Sequence, residues 1–162
     1  MGIRLRIIVF SDSHGSKSAI HKVYERNEDA DLFIFLGDGE REFDYVSELY
    51  PDKKSLAVCG NCDFSSMKKS VEITTAGGKK IVFLHGNAHD VKYTKETVKN
   101  LARDIEADIV LFGHTHERYY EYCDGLFILN PGSISRPRDG KSPSYAYIDI
   151  TNAGVVCNHV DL

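Results

Sequence analysis

Five short apolar runs in this chain each end in residues that ligate metals. Ile7–Phe10 leads into Ser11-Asp12-Ser13-His14-Gly15, Leu32–Leu36 into Gly37-Asp38-Gly39, and Leu56–Cys59 into Gly60-Asn61-Cys62-Asp63. Ile81–Leu84 leads into His85-Gly86-Asn87, and Ile109–Phe112 into Gly113-His114-Thr115-His116. One such junction would mean little. Five predict strands side by side in one sheet, each delivering Asp, Asn or His to a common rim beyond its C-terminal end.

The candidate ligands are Asp12, His14, Asp38, Asn61, His85, His114 and His116. They mix carboxylate, imidazole and amide donors. Such a nitrogen and oxygen set suits manganese foremost, with iron, zinc, nickel, cobalt or magnesium as alternatives, rather than calcium or a thiolate cluster. The set is too large for one catalytic ion, which must keep a position open. It suits two divalent ions about 4 Å apart that share a carboxylate. Two such ions against Asp12 and Asp38 leave a net charge of about +2, matched to a hydroxide and an anionic phosphate ester. Glycines flank the ligands where turns are tight and a substrate must approach the backbone.

The elements that position these residues can be read from the pattern. Strands are expected at 3–10, 32–36, 55–59, 70–75, 80–84 and 109–112, and helices at 17–28, 40–49 and 94–105. Gly77-Gly78 before Lys79-Lys80 marks a hairpin turn. The front half alternates strand and helix, as parallel α/β sheets do. Its strands are continuous apolar runs, as expected when both faces are buried. Tyr119–Cys123, Leu126–Leu129, Tyr145–Ile150 and Val155–Val160 then read as short segments of a second, antiparallel sheet. Two sheets packed face to face with helices outside would bury both sets.

The chain has 162 residues, 42% of them hydrophobic and 27% charged, which suits a single domain over 1–162 with a sizeable core. Its formal net charge of -4 argues against an extended nucleic-acid surface. No apolar stretch is long enough to span a bilayer, and Asp12 interrupts the first apolar run, too short for a secretory signal. A cytoplasmic protein is expected. Cys59, Cys62, Cys123 and Cys157 are then expected to be reduced, with Cys123 and Cys157 in the core. Cys59-Gly60-Asn61-Cys62 could be a redox pair, but no clear helix follows it and no second pair completes a zinc site. Alternating Tyr and Phe on the C-terminal strands offer an interface for a homo-oligomer.

Asp-x-His, Gly-Asp, Gly-Asn-x-Asp, His-Gly and Gly-His-x-His, in this order, resemble the calcineurin-like metallophosphoesterase superfamily. The small size, Gly60-Asn61-Cys62-Asp63 and Asn130-Pro131-Gly132-Ser133 are similar to its YfcE-like phosphodiesterase branch. The resemblance implies a four-layer α/β/β/α sandwich of two mixed sheets flanked by helices. It implies that Asp12, His14 and His116 hold one metal, that Asn61, His85 and His114 hold the other, and that Asp38 bridges them. It further implies in-line attack of a bridging hydroxide on a small phosphodiester. Asp38, Asn61 and His114 are thereby named as catalytic, with Cys62 and Asp63 beside them. A second class is open: a metal-binding interaction scaffold of the same fold with little turnover, as a eukaryotic retromer subunit is.

Two positions depart from the family pattern. Cys62 stands where many members have a His that protonates the leaving oxygen. A thiol with an ordinary pKa of roughly 8.5 is a poorer donor at neutral pH than an imidazolium. Esters with good leaving groups are therefore expected, with Asp63 in a supporting role. Asn87 follows His85-Gly86 where many relatives carry a second His, and His89 two residues on could approach the substrate. Asn130-Pro131-Gly132-Ser133 is expected to pack as a turn beneath the Gly113–His116 loop. Arg136 and Arg138 are read as solvated, or else as a grip on a phosphate oxygen. Lys92–Lys99 is read as a solvated helix face. No basic cluster for a monoester dianion is evident, which favours a diester.

Overall fold

The structure is a computed structural model that describes residues 4–162; the predicted strand start at Ile3 lies outside them. Ten strands are formed: β1 (Leu5–Phe10), β2 (Leu32–Phe35), β3 (Lys54–Ala57), β4 (Val71–Ala76), β5 (Lys79–Leu84), β6 (Ile109–Leu111), β7 (Arg118–Cys123), β8 (Leu126–Pro131), β9 (Ser144–Thr151) and β10 (Gly154–Asp161). Three helices accompany them: α1 (Lys17–Glu25), α2 (Glu40–Ser47) and α3 (Glu96–Asp104).

The strands form two five-stranded mixed sheets, ordered β10-β9-β1-β2-β3 and β4-β5-β6-β8-β7. In the first, β1-β2-β3 run parallel out to the β3 edge, and β9 and β10 add antiparallel on the other side; in the second, a parallel centre β5-β6-β8 is flanked by the antiparallel edge strands β4 and β7. This corrects two sequence expectations. The five junctions do not share one sheet: β1, β2 and β3 serve the first, β5 and β6 the second. Nor do the sheets divide the chain into halves. β9 crosses back to pair with β1, Leu5 opposite Ile150, because Ala146, Ile148 and Ile150 complete the same buried face as Ile7 and Val9.

Strand parity explains the continuous apolar runs. Ile7, Val9, Ile34, Phe83 and Leu111 point between the sheets. Their neighbours Ile8, Phe10, Phe33 and Phe35 point outward to α1 and α2, and Val82, Leu84 and Val110 point outward to α3. Both faces of each central strand are therefore covered, giving the four layers α/β/β/α. Helix α1 starts directly after the first ligand loop, where the Ser16 hydroxyl accepts from the Ala19 amide at 3.3 Å. It buries Ile20, Val23 and Tyr24, and Tyr24 stacks on Phe33 with ring centroids 4.2 Å apart. In α2, Phe43 stacks on Phe35 at 5.0 Å.

Gly77-Gly78 forms the β4–β5 hairpin, as its sequence predicts. Cys59 does not end a strand: β3 stops at Ala57, and the Cys59 amide turns to the Lys69 carbonyl at 3.0 Å instead of pairing with β2. Cys123 and Cys157 are half-buried and pack against the apolar clusters rather than inside them. No described helix is long and apolar enough to cross a membrane.

Candidate metal centre

Six of the seven predicted ligands converge on one end of the sandwich. Their imidazole and carboxylate atoms form two clusters, Asp12 with His14 and His116, and Asp38 with His85 and His114, each within 4.8 Å. His14 Nε2 lies 3.7 Å from both Asp12 Oδ1 and Asp38 Oδ2, so the clusters adjoin. His116 Nε2 is 3.3 Å from Asp12 Oδ1, and His85 Nε2 is 3.2 Å from Asp38 Oδ2. The seventh, Asn61, is exposed, and its side-chain amide donates to Cys62 Sγ at 3.5 Å rather than to either cluster.

The rings are set from behind. His85 Nδ1 donates to the Leu36 carbonyl and His116 Nδ1 to the Arg136 carbonyl, both at 2.7 Å. A carbonyl only accepts, so each Nδ1 carries the proton and each Nε2 directs a lone pair into the site. Asp12 Oδ1 is fully buried and has no hydrogen-bond partner among the described residues. Lone pairs of carboxylate and imidazole therefore face one another across 3.2 to 3.8 Å. With both groups deprotonated, that arrangement is repulsive, and it must be relieved by a shared proton or by a cation. A divalent cation of nitrogen and oxygen preference relieves it, so the residues present fit such ions.

The protonation tendencies follow the same crowding. Without an ion, protons shared from the rings take its place: burial alone would raise the Asp12 carboxyl, but hydrogen bonds from His116 and His14 outweigh it and hold it well below the usual carboxylate range. Burial opposes and His85 lowers Asp38 in the same way. Burial, the neighbouring His85 and then Lys92 push His114 down to about 4, so its ring stays neutral at pH 7.

The backbone is strained where the ligands sit. Asp12, His14, Asp38, His114 and His116 adopt φ of 57°, 42°, 61°, 70° and 59°. Left-handed conformations in non-glycine residues cost of order 1–3 kcal/mol each and persist only where surrounding contacts impose them. Here the contacts are evident. Asp63 accepts from the amides of Asp38 and Gly60 at 2.8 and 2.7 Å, and of Gly39 and Glu40 at 2.9 and 3.0 Å. Asn130 Nδ2 donates to the Gly113 carbonyl at 3.1 Å and to Thr115 Oγ1 at 2.9 Å, the turn beneath the Gly113–His116 loop that the sequence predicts. Gly60 and Gly113 are required by close approach: a Cβ on either would collide with Asp38 or with Ser11 and Asp12.

Some supports escape sequence reading. Ser11 Oγ donates to Asp12 Oδ2 at 2.6 Å, and Ser133 and Ser135 both donate to the Asp12 carbonyl, at 2.8 and 3.1 Å. Only the position of Ser11 beside Asp12 hinted at this. Arg136 contributes its carbonyl, while its side chain is exposed. His89 ends a short 3-10 turn, Asn87–His89, and joins neither cluster. The Cys62 amide donates to Asp38 Oδ1 at 2.8 Å. Its thiol is exposed beside His14 and Asp38, and partial burial and then the Asp38 charge push it up from its ordinary value.

Two cavities lie by the ligand loops. One of about 480 Å³ is bordered by His14, Asp38, Cys62, Glu42 and Phe64, with Glu40 and Asp44 in its wall. The other, about 260 Å³, is lined by Val91, Lys92, Lys95, Thr115, Glu117 and Arg138. The absence of a basic cluster is thereby corrected, and the solvated reading of Lys92–Lys99 holds for the exposed Lys92 but not for the buried Lys99. Lys92 and Lys95 precede α3 and meet Arg138 only in the fold, while Lys99 is buried against Glu121 at 2.9 Å.

Residues 5–153 match the calcineurin-like phosphoesterase superfamily domain. The chain belongs to that superfamily. It is 35% identical over 159 residues to the probable metallophosphoesterase YsnB of Bacillus subtilis, covering 97% of this chain and 91% of the relative. It is 27% identical over 164 residues to the phosphodiesterase YfcE of Escherichia coli, covering 90% and 88%. Among solved structures, a predicted phosphoesterase from Streptococcus pneumoniae superposes with a TM-score of 0.83 at 30% identity, covering 98% of this chain and 90% of the other. A calcineurin-like phosphoesterase depends on divalent metal ions, and the two ligand clusters are where this chain would hold them.

Proposed function

We propose that this chain is a dinuclear, metal-dependent phosphodiesterase acting as one domain over 1–162. The observation that carries the reading is the pair of adjoining clusters, Asp12-His14-His116 and Asp38-His85-His114, with a buried, unpartnered carboxylate oxygen between inward lone pairs. Asp12, His14 and His116 would hold one ion and His85, His114 and Asn61 the other, with Asp38 between them. Bound ions, manganese foremost, supply Lewis acidity to the phosphoryl oxygens and activate water for in-line attack. His114, neutral at working pH, and Asp38 position the reacting group.

Two observations support a diester. The relative YfcE is named a phosphodiesterase. Two cavities with no lining residue in common are available to the two ester substituents, one bordered by His14 and Asp38 and the other by Thr115 of the His114–His116 loop. The four free thiols suit the reducing cytoplasm, where we place the activity. A pure scaffold would have no need of strained, fully supported ligand loops.

The test is turnover of bis(p-nitrophenyl) phosphate with added manganese, in the unaltered protein and in Asp38→Asn. A loss of at least about 100-fold in the variant is expected. Equal turnover in both would remove the shared-carboxylate mechanism, and none in the unaltered protein would favour the scaffold.

A further inference from the structure

The two cavities beside the centre differ in charge. On the Cys62 side, Glu40, Glu42 and Asp44 face Arg41, with Lys68 behind them paired to Asp44 at 2.9 Å. On the Thr115 side, Lys92, Lys95 and Arg138 face the single exposed carboxylate of Glu117. None of these three cations makes an ion pair among the described residues, whereas Lys68, Lys99 and Arg118 all do. Three cations without an ion pair line a cavity of about 260 Å³, in a chain of net charge -4, and leave a local excess of positive charge that suits an anion.

The basic cavity is also built into the site. Thr115, in its wall, lies between His114 and His116. Arg138 is tied to the same loop, its amide donating to the His116 carbonyl at 2.9 Å. Lys95 Nζ donates to the Val91 carbonyl at 2.6 Å and lies 5.1 Å from the Tyr119 ring centroid and 5.6 Å from that of Phe112. That leaves it ordered, with two donor hydrogens unspent. Lys92 is close enough for its charge to act on His114.

We infer that Lys92, Lys95 and Arg138 form a subsite for a second phosphate group, so that the preferred substrate is a phosphodiester carrying a further phosphomonoester on one of its two substituents. The inference rests on the phosphodiesterase reading. The difference in lining charge fixes the direction: the phosphorylated substituent lies on the Thr115 side, and the uncharged or cationic one on the Cys62 side.

The experiment compares thymidine 5′-(p-nitrophenyl phosphate) with its 3′-phosphorylated counterpart on the manganese-loaded full chain. The readout is the ratio of the two kcat/KM values, in which any general loss of activity cancels. A ratio of about 10 in favour of the 3′-phosphate is expected, expressed in KM and shrinking as salt is raised. In Lys92→Ala/Arg138→Ala it falls towards 1, and in Lys92→Arg/Arg138→Lys it is kept. A ratio of 1 in the unaltered protein, or a preference that survives the double alanine variant, overturns the subsite. Should neither ester turn over, the phosphodiesterase reading fails by itself. Equilibrium dialysis of thymidine 3′,5′-bisphosphate against thymidine 5′-phosphate on the same protein then decides. Tighter binding of the bisphosphate, lost in the double alanine variant, upholds the subsite, and equal binding overturns it.

Discussion

Nε2 of His85 faces Oδ2 of Asp38 at 3.2 Å, while the other ring nitrogen of His85 is committed to the Leu36 carbonyl at 2.7 Å. Burial alone would lower the His85 pKa, but the Asp38 hydrogen bond and the Asp12 charge raise it, so in the bare site the two atoms share a proton, and a divalent cation would take its place. Manganese at about 1,000 times its Kd should stabilise the fold by about 4 kcal/mol, and so raise Tm by about 10 °C. A chelator should reverse the shift. In His85→Ala most of it should disappear, and an undiminished shift in differential scanning fluorimetry would place the ions elsewhere.

On the phosphodiesterase reading, Cys62 would give the leaving group little help. Its thiol, pushed up by burial and by Asp38, is a weaker acid than an imidazolium. Aryl diesters should be hydrolysed far faster than alkyl diesters. Cys62→His should raise kcat/KM on a methyl p-nitrophenyl or dialkyl phosphate by about tenfold or more, most for the alkyl leaving group. No gain on the alkyl ester would show that the position does not reach the leaving oxygen.

Asp63 acts on the centre from outside it. One carboxylate gathers four backbone amides from two loops, those of Asp38, Gly39, Glu40 and Gly60. Asp63→Ala leaves these donors without their acceptor and should cost about 3 kcal/mol in chemical denaturation. Manganese affinity should fall with it, because the strained Asp38 loop loses its anchor. A loss of activity at unchanged stability would instead assign Asp63 to the chemistry.

A surface pair far from the site sets an acid limit. Arg6 Nε and Nη2 donate to both oxygens of Asp149, at 2.7 and 2.6 Å, and the guanidinium lies 4.3 Å from the Tyr147 ring centroid. The hydrogen bond from Arg6, opposed by burial, lowers the Asp149 pKa in the folded state. A depressed carboxyl contributes stability that is present above its unfolded value, near pH 4, and is lost as pH falls through the folded value. Asp149→Asn should therefore lower stability by about 1 kcal/mol or less at pH 7 and by progressively less below pH 4. A difference in urea midpoint that stays constant from pH 7 to pH 3 would remove the charge from the explanation.

Much of the centre is legible in the chain because a strand end is a local event. An apolar run followed by Gly, Asp, Asn or His states both the element and its cargo. Asp12, His14, Asp38, His85, His114 and His116 were therefore recoverable one junction at a time, and the structure brings them together. The layer architecture was legible too, since runs such as Ile7-Ile8-Val9-Phe10 need cover on both faces. Which strands share a sheet was not, because any buried parallel strand offers the same apolar edge to many partners.

The sequence by itself determined the donor types, their order and the sandwich that carries them, since these depend on residue identity and on spacing of two or a few positions. Only the tertiary structure decided how distant segments combine. It divided the five junctions between two sheets. It turned two backbone carbonyls into the groups that aim His85 and His116. It made Asp63 the anchor of the Asp38 loop. It also drew Lys92, Lys95 and Arg138 into one cavity in a chain that is acidic overall. The hydrogen bonds among these relations join residues 20 to 49 positions apart, and no local pattern encodes them because their geometry exists only once the sheets have packed.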